Sequence, residues 1–223
     1  MLALSNVTRI YQVGESEVVA LHDVDLRIDE GDFVSVVGPS GSGKSTLLQI
    51  VGLLDSPTLG TVELDGRDVS RLNDAARTHL RLVAIGFVFQ RFHLLTGLTA
   101  IENVALPMEA AGQSPTERYT RAAALLTEVG LGDRLEHRPS QLSGGQRQRV
   151  AIARAVANHP RLILADEPTG ELHSEDTATI LELLHGFHAR GHTIVIVTHD
   201  MEVAAAARRR IEIRDGRVRE LVA

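Results

Sequence analysis

The nine residues GPSGSGKST, Gly38 to Thr46, join two segments that predict different secondary structure. The run FVSVV before them, residues 33–37, is short, apolar and rich in β-branched residues, which is typical of a buried strand. Directly after them, apolar residues recur at helical spacing from Leu47 to Leu54. The stretch is therefore predicted to turn a strand into a helix. It also holds Lys44, the only lysine among 23 lysine and arginine residues.

The same stretch fits the pattern G-x-x-x-x-G-K-[ST] in the strand-to-helix context that the pattern requires. Its glycines let successive backbone N–H groups surround phosphate oxygens, and the helix N-terminus adds partial positive charge. Lys44 would reach the β and γ phosphates of a nucleotide as a compact point charge, for which a planar arginine fork is a poor substitute. Ser45 would bind Mg²⁺ through its hydroxyl. The alternative is a glycine-rich turn whose lysine is merely exposed.

Composition limits the class of protein. The chain has 223 residues, 43% of them hydrophobic and 23% charged, which predicts a globular protein of one domain with a subdomain. The net charge of -6 predicts no nucleic-acid partner, because such binding depends on lysine and arginine at phosphates. The sequence lacks cysteine and any apolar run of about 18 residues, so we expect a protein of the reducing cytosol that is neither exported nor inserted in a membrane.

Two Asp-Gly pairs and a long middle segment organise the rest of the chain. TVELDGRDV, residues 61–69, and RIEIRDGRV, residues 210–218, place Asp-Gly between alternating residues, which predicts two hairpins. Residues 73–156 are predicted to be mainly helical and to form an inserted subdomain, with Glu117 to Gly130 as the clearest helix.

RLILADEP at residues 161–168 and HTIVIVTHD at residues 192–200 are apolar runs typical of parallel strands that are buried on both faces. In such folds, ligands bind at the carboxyl ends of the strands. Asp166, at the end of the first run, would hold Mg²⁺ through water, and Glu167 would polarise an attacking water as general base. An ordinary loop that begins with two carboxylates is the alternative.

The segment QLSGGQRQRVAIARA, residues 141–155, resembles the signature of ATP-binding cassette ATPases. The phosphate loop, this signature and LILADEPTG follow one another in that family's order and approximate spacing, so the resemblance covers essentially the whole chain. It implies an α/β fold class: a P-loop NTPase core with a mostly parallel sheet, an antiparallel β subdomain and an inserted helical subdomain at about residues 91–157. The whole chain, residues 1–223, would form a single nucleotide-binding domain that uses ATP and Mg²⁺.

The signature opens a helix at Ser143, Gly144 and Gly145, so a second anion site is predicted there. In the family, this site closes on the γ-phosphate held by the other protomer, which implies a homodimer that forms head to tail on ATP binding. The alternative is a helix cap and nothing more. The nucleotide contacts implied by the motif and the resemblance are Tyr11, Gly38, Pro39, Ser40, Gly41, Ser42, Gly43, Lys44, Ser45, Thr46, Gln90, Ser143, Gly144, Gly145 and Gln146.

Three of the implied site residues lie outside these motifs. Tyr11 resembles the aromatic residue that stacks on adenine, although a tyrosine packed in the core is the alternative. Gln90, in GFVFQRFHLL, resembles the glutamine that touches Mg²⁺. His199 resembles the switch histidine that contacts the γ-phosphate and orders the attacking water. The implied catalytic residues are Glu167 and His199, and the implied metal ligands are Ser45, Gln90 and Asp166.

One residue departs from the family pattern. The loop TGELHSED holds His173 where the family usually has an aspartate at the dimer interface. A neutral histidine offers one hydrogen-bond acceptor and a protonated one offers none. We therefore expect a weaker ATP-bound dimer here, and the alternative is a side chain that simply points to solvent.

The runs YQVGESEVVALHDVDL and GFVFQRFHLLTGLTAIENVALPM resemble the lipoprotein-release and macrolide-efflux group of the family. The resemblance implies a cytoplasmic ATPase subunit, bound to the inner face of the cell membrane through a membrane-spanning permease partner. It would power transport or mechanotransmission by ATP-driven dimerisation. A soluble ATPase switch in repair, cofactor assembly or cell division is the alternative function, and the transported substrate has no signal in this sequence.

Overall fold

The computed structural model describes residues 1–221, which fold as two compact units. The first unit combines residues 1–81 with residues 193–221, and the second consists of residues 82–192. The strands are β1 (Leu2–Val13), β2 (Ser16–Ile28), β3 (Phe33–Val37), β4 (Leu59–Leu64), β5 (Arg67–Asp68), β6 (Ile85–Phe89), β7 (Leu162–Asp166), β8 (Thr193–Val197), β9 (Arg209–Arg214) and β10 (Arg217–Leu221). The α-helices are α1 (Lys44–Val51), α2 (Asp74–Ala84), α3 (Ala100–Ala110), α4 (Pro115–Glu128), α5 (Gly144–Ala155), α6 (Ser174–Ala189) and α7 (Met201–Ala204).

An antiparallel sheet forms one part of the first unit, with strand order β2-β1-β4-β5. The predicted hairpin between β4 and β5 is present, and its turn residues Asp65 and Gly66 have φ of 54° and 73°. The second predicted hairpin joins β9 to β10 through Asp215 and Gly216, with φ of 48° and 72°. Two successive positive φ values are what a tight two-residue hairpin turn requires, and Asp-Gly supplies them at low cost.

Parallel strands form the other part of the first unit. β3 pairs in parallel with β8 on one side and with β9 on the other. All residues of β3 and β8 are buried, as expected for parallel strands covered on both faces. The predicted strands at residues 33–37 and within 192–200 are thus confirmed.

The second unit contains a parallel strand pair, β6 and β7, with Phe89 opposite Asp166. Residues 73–156 are mainly helical, as predicted, but the prediction overlooked β6, the strand at residues 85–89. The sequence IGFVF is a five-residue apolar run, and such a run does not distinguish a strand from a buried helical turn by periodicity. Its stacked rings Phe87 and Phe89, 5.6 Å apart, are the aromatic content that favours a strand.

The helices between β6 and β7 begin at well-formed N-caps. Thr99 and Glu102 form a capping box at α3, and Ser114 and Glu117 form another at α4. The backbone N–H of Thr99 donates to Glu102 and holds the pKa of that carboxyl below its usual value. The helix predicted at residues 117–130 is confirmed in α4, which ends at Glu128 and is followed by Gly130 with φ of 73°.

Candidate functional site

The phosphate loop lies between β3 and α1 in the first unit. Gly43 precedes α1 with φ of 109°, and no side chain within residues 1–221 caps this helix. A Cβ on Gly43 would lie 2.5 Å from the carbonyl oxygen of Ala20, so only glycine fits there. The Lys44 ammonium donates to the carbonyl oxygens of Gly38 and Pro39 at 2.8 and 2.9 Å. The positive charge of Lys44 is therefore held against the phosphate loop, at the N-terminus of α1.

His199 follows β8, the strand that neighbours β3. Val36 pairs with Val197, and the next N–H, that of Thr198, donates to the carbonyl oxygen of Val36 at 3.1 Å. Because the strands are parallel, His199 and the start of the phosphate loop leave the sheet at the same edge. Asp200 then caps α7 by accepting from the N–H of Glu202 at 2.8 Å. The fold thus brings two predicted site segments of the first unit together.

Tyr11 lies on β1 in a cluster with Arg9 and Asp55. Its hydroxyl donates to the Asp55 carboxylate at 2.8 Å, and the Arg9 guanidinium lies 4.5 Å from the centroid of its ring. Arg9 also pairs with Asp55 at 2.9 Å, and the two side chains are only 23% and 24% exposed. The Arg9 guanidinium therefore lies against the half-buried ring, and stacking of a base on Tyr11 stays a prediction.

The second unit brings Gln90, Asp166 and Glu167 to one end of its strand pair. Gln90 directly follows Phe89, which pairs with Asp166. The Gln90 amide packs so closely on Gly170 that a Cβ there would lie 2.9 Å from Nε2. Glu167 has φ of 44°, a left-handed conformation that is rare for a side chain of this kind. Such strain clusters at functional sites, since only a well-braced structure maintains it.

The signature segment, Ser143 to Gln146, forms the N-terminus of α5. The Ser143 hydroxyl accepts from the N–H of Gln146 at 3.2 Å, and the Gln146 side chain accepts from the N–H of Ser143 at 2.9 Å. A Cβ on Gly145 would collide with the carboxylate of Asp176 on α6. The predicted alternative of a helix cap is thus present in the structure. Capping uses a lone pair of the hydroxyl and leaves its proton for a ligand, so the two roles are compatible.

The family model described as ABC transporter matches residues 21–170, a span that includes the phosphate loop, Gln90, the signature segment and Glu167. The chain belongs to the ABC transporter family. The predicted family resemblance is confirmed.

This chain covers a different fraction of the length of each relative. The macrolide export ATP-binding/permease protein MacB of Marinobacter nauticus is 51% identical over 220 residues, which are 99% of this chain and 34% of that protein. The uncharacterized ABC transporter ATP-binding protein YknY of Bacillus subtilis is 50% identical over 98% of this chain and 95% of its own length. The chain thus spans about a third of the macrolide export relatives that it matches.

A solved structure confirms the fold class. The dimeric ATP-binding cassette MJ0796 in a post-hydrolysis state, bound to ADP and Pi, matches with a TM-score of 0.92 and 48% identity, over 99% of this chain and 98% of that chain. The α/β fold with a P-loop NTPase core, an antiparallel β subdomain and an inserted helical subdomain is therefore established for this cassette. The boundaries predicted for the helical subdomain, 91–157, and the roles of the individual site residues stay predictions.

Basic residues of α5 brace the segment after Gln90, and sequence reasoning missed them. The Arg154 guanidinium donates to the carbonyl oxygen of Phe92 at 2.8 Å and also to that of His93, and burial lowers its pKa. Arg147 lies 5.0 Å from the ring centroid of Phe92. Phe92 and His93 have φ of 57° and 47°, so these contacts hold a strained turn. Only the alternation of arginines in QRQRVAIAR could have drawn attention to them.

His173 is the N-cap of α6, with φ of -76° and ψ of 160°. The side chain is exposed and makes no capping hydrogen bond to the residues that the structure describes. Aspartate is among the preferred N-cap residues, whereas histidine is not. The departure from the family pattern therefore leaves α6 without a side-chain cap, whatever its effect on a dimer interface.

Proposed function

We propose that this cassette binds Mg·ATP and hydrolyses it as an ATP-bound homodimer, powering a membrane-spanning permease from the inner face of the cell membrane. The observation that carries the proposal is the phosphate loop, where an uncapped helix N-terminus and the Lys44 ammonium converge. Two relatives support the wider statement. One is named as an ATP-binding/permease protein, and the other was solved as a dimer with ADP and Pi.

The phosphates would be held by the backbone N–H groups of residues 38–46 and by Lys44. The proposed Mg²⁺ donors, Ser45, Gln90 and Asp166, are all oxygen donors. Within residues 1–221, no cluster of three histidine or acidic residues could cage a metal alone. This set fits Mg²⁺, which is usually bound through one or two carboxylates, here Asp166, and keeps phosphate oxygens and water in its shell. When bound, Mg²⁺ neutralises charge on the β and γ phosphates.

Hydrolysis of ATP needs a general base that can accept a proton from the attacking water. Glu167 would take a proton as the water oxygen forms its bond to the γ-phosphorus, and the bond to the bridging oxygen of ADP breaks. His199 would hold the γ-phosphate and orient the water. The products are ADP and phosphate, which are the ligands named for the MJ0796 dimer. The strained backbone at Glu167 supports this assignment, because it marks a position where the side chain matters more than local stability.

Dimerisation would bring the signature segment of each protomer to the γ-phosphate of its partner. Tyr11 would stack on adenine through the ring face opposite Arg9. No helix within residues 1–221 has the length and hydropathy to cross a bilayer. The permease would determine which substrate is moved.

Replacement of Glu167 by Gln tests the catalytic part of the proposal. General bases contribute about 10²- to 10⁴-fold, so we expect ATP hydrolysis to fall at least about 100-fold while ATP binding persists and a stable dimer accumulates. Glu182→Gln is the matched control, since Glu182 is exposed on α6, outside the predicted site segments. Hydrolysis is measured as phosphate release and dimerisation by analytical ultracentrifugation. A Glu167→Gln variant that hydrolyses ATP at the wild-type rate would show that another residue is the base.

The partner is tested separately. Affinity purification from detergent-extracted native membranes should recover a permease with the cassette, and its addition should raise the ATPase rate. Recovery from the soluble fraction alone, with no membrane partner, would contradict the transport function and favour a soluble switch.

A further inference from the structure

Two amide side chains of the second unit, Asn103 and Gln148, are completely buried. Asn103 accepts from the N–H of Leu95 at 2.8 Å and donates to three carbonyl oxygens nearby, so both ends of its amide are satisfied. Gln148 donates through Nε2 to the carbonyl oxygen of Pro168 at 2.6 Å. Its Oε1 has no hydrogen-bond partner among residues 1–221.

Gln148 is therefore a costly choice for stability alone. A buried acceptor without a donor loses its hydrogen bonds to water and forms none within the protein. A methionine has nearly the same length and would fill the space without that penalty. The reason for an amide at position 148 must lie in the single bond that it makes, to Pro168.

Pro168 directly follows Glu167, whose φ of 44° is strained. The strand β7 fixes the chain before Glu167, and the Gln148 amide holds the first carbonyl after it. The N–H of Gly170 closes the same turn on the carbonyl oxygen of Glu167 at 3.1 Å. A strained conformation persists only where contacts on both sides fix it. The Gln148 amide thus holds the Pro168 carbonyl from the side of α5.

We propose that Gln148 is a positioning residue that keeps the Glu167 carboxylate in its hydrolytic geometry. This role of Gln148 rests on the proposed function, in which Glu167 is the general base. Gln148 lies in the first turns of α5, two residues after the signature segment. A shift of the signature segment is thereby passed to Glu167 through one rigid helix and one hydrogen bond.

The test replaces Gln148 by Met, which removes the donor and retains the size. We expect kcat to fall about 10- to 100-fold, as for a small displacement of a catalytic group, while the KM for ATP stays within about 2-fold. The melting temperature should change little, because the variant removes the orphan acceptor Oε1 but leaves the buried carbonyl of Pro168 without its donor. Asn103→Leu is the control. It removes a fully satisfied amide outside the site, so it should lower the melting temperature and leave kcat intact.

A double variant separates positioning from general damage. If Gln148 acts through Glu167, then Gln148→Met should cost no further activity in a Glu167→Gln background, measured as single-turnover phosphate release. Full additivity of the two losses would overturn the inference. So would a wild-type kcat in the folded Gln148→Met variant, or in Gln148→Leu if the Met variant fails to fold. An inactive wild-type protein would instead refute the proposed function itself.

Discussion

Two helix N-termini of this cassette carry glycine-rich anion motifs, and they are built differently. α1 begins after Gly43, without a side-chain cap, and its first residue is Lys44. α5 begins after Ser143 with a complete capping box. The nearest arginines contact other groups: Arg147 lies over the Phe92 ring, and Arg149 donates to the carbonyl oxygens of Val129 and Gly130. The first N-terminus offers its N–H groups and a cation to a ligand. The second is already partly satisfied by its own side chains.

This difference predicts that the N-termini of α1 and α5 bind phosphate under different conditions. The N-terminus of α1 has what it needs to bind phosphate in an isolated chain. The N-terminus of α5 is already capped, and under the proposed function it would add donors only when a partner's phosphate is brought to it. Substitutions at three helix N-termini test this difference between capped and uncapped helices.

Lys44→Arg should have the largest effect. The guanidinium is planar and wider than the ammonium that donates to Gly38 and Pro39, so it does not fit the loop. Loss of a charged hydrogen bond costs about 1.5–3 kcal/mol, which predicts an ATP affinity about 10- to 100-fold lower. Isothermal titration calorimetry measures the affinity, with the exposed Arg208→Lys as control. Unchanged affinity would mean that any cation suffices at this position.

Ser143→Asp should separate the cap of α5 from its anion site. Aspartate caps a helix as well as serine does, so the free energy of unfolding should stay near the wild-type value. Its negative charge would repel a phosphate, so ATP hydrolysis should fall by about 10-fold or more. Ser143→Ala is the companion variant and should lose about 1 kcal/mol of stability. If Ser143→Asp hydrolyses ATP normally, the N-terminus of α5 is a cap only.

His173→Asp should have the smallest effect and the opposite sign. An aspartate at the N-cap of α6 can accept from the first-turn N–H groups, which predicts a gain of about 1 kcal/mol in unfolding free energy. Urea unfolding without nucleotide measures this gain apart from any dimer. Dimer dissociation constants in the Glu167→Gln background then test the interface, where aspartate should bind more tightly. Equal stability of both proteins would show that position 173 does not cap α6.

The local parts of the fold were predictable from the sequence. Short-range residue patterns predict several elements correctly. These are the phosphate loop, both Asp-Gly hairpins and the strands at residues 33–37 and 162–166, which depend on local backbone geometry. β6 was missed because five apolar residues carry no decisive period, and its strand identity comes from pairing with β7.

The supporting residues of the site could not be predicted in the same way. Arg9 and Asp55 are 46 positions apart in the sequence, and only the folded sheet brings them to Tyr11. Gln148 looks like any polar residue of an amphipathic helix, until its complete burial and its bond to Pro168 are known. Motifs report the groups that touch a ligand, whereas the contacts that brace those groups depend on tertiary structure.

The left-handed backbone at Glu167 has a consequence for how this chain evolves. Such a conformation costs a residue with a side chain about 1–3 kcal/mol, and glycine adopts it freely. Selection for thermal robustness alone would therefore drift toward glycine at this position, and every step in that direction would remove the carboxylate. With Glu167 as the proposed general base, the substitution that would relax this backbone would also remove the carboxylate that hydrolysis needs, so stability and activity would be in conflict at this one position.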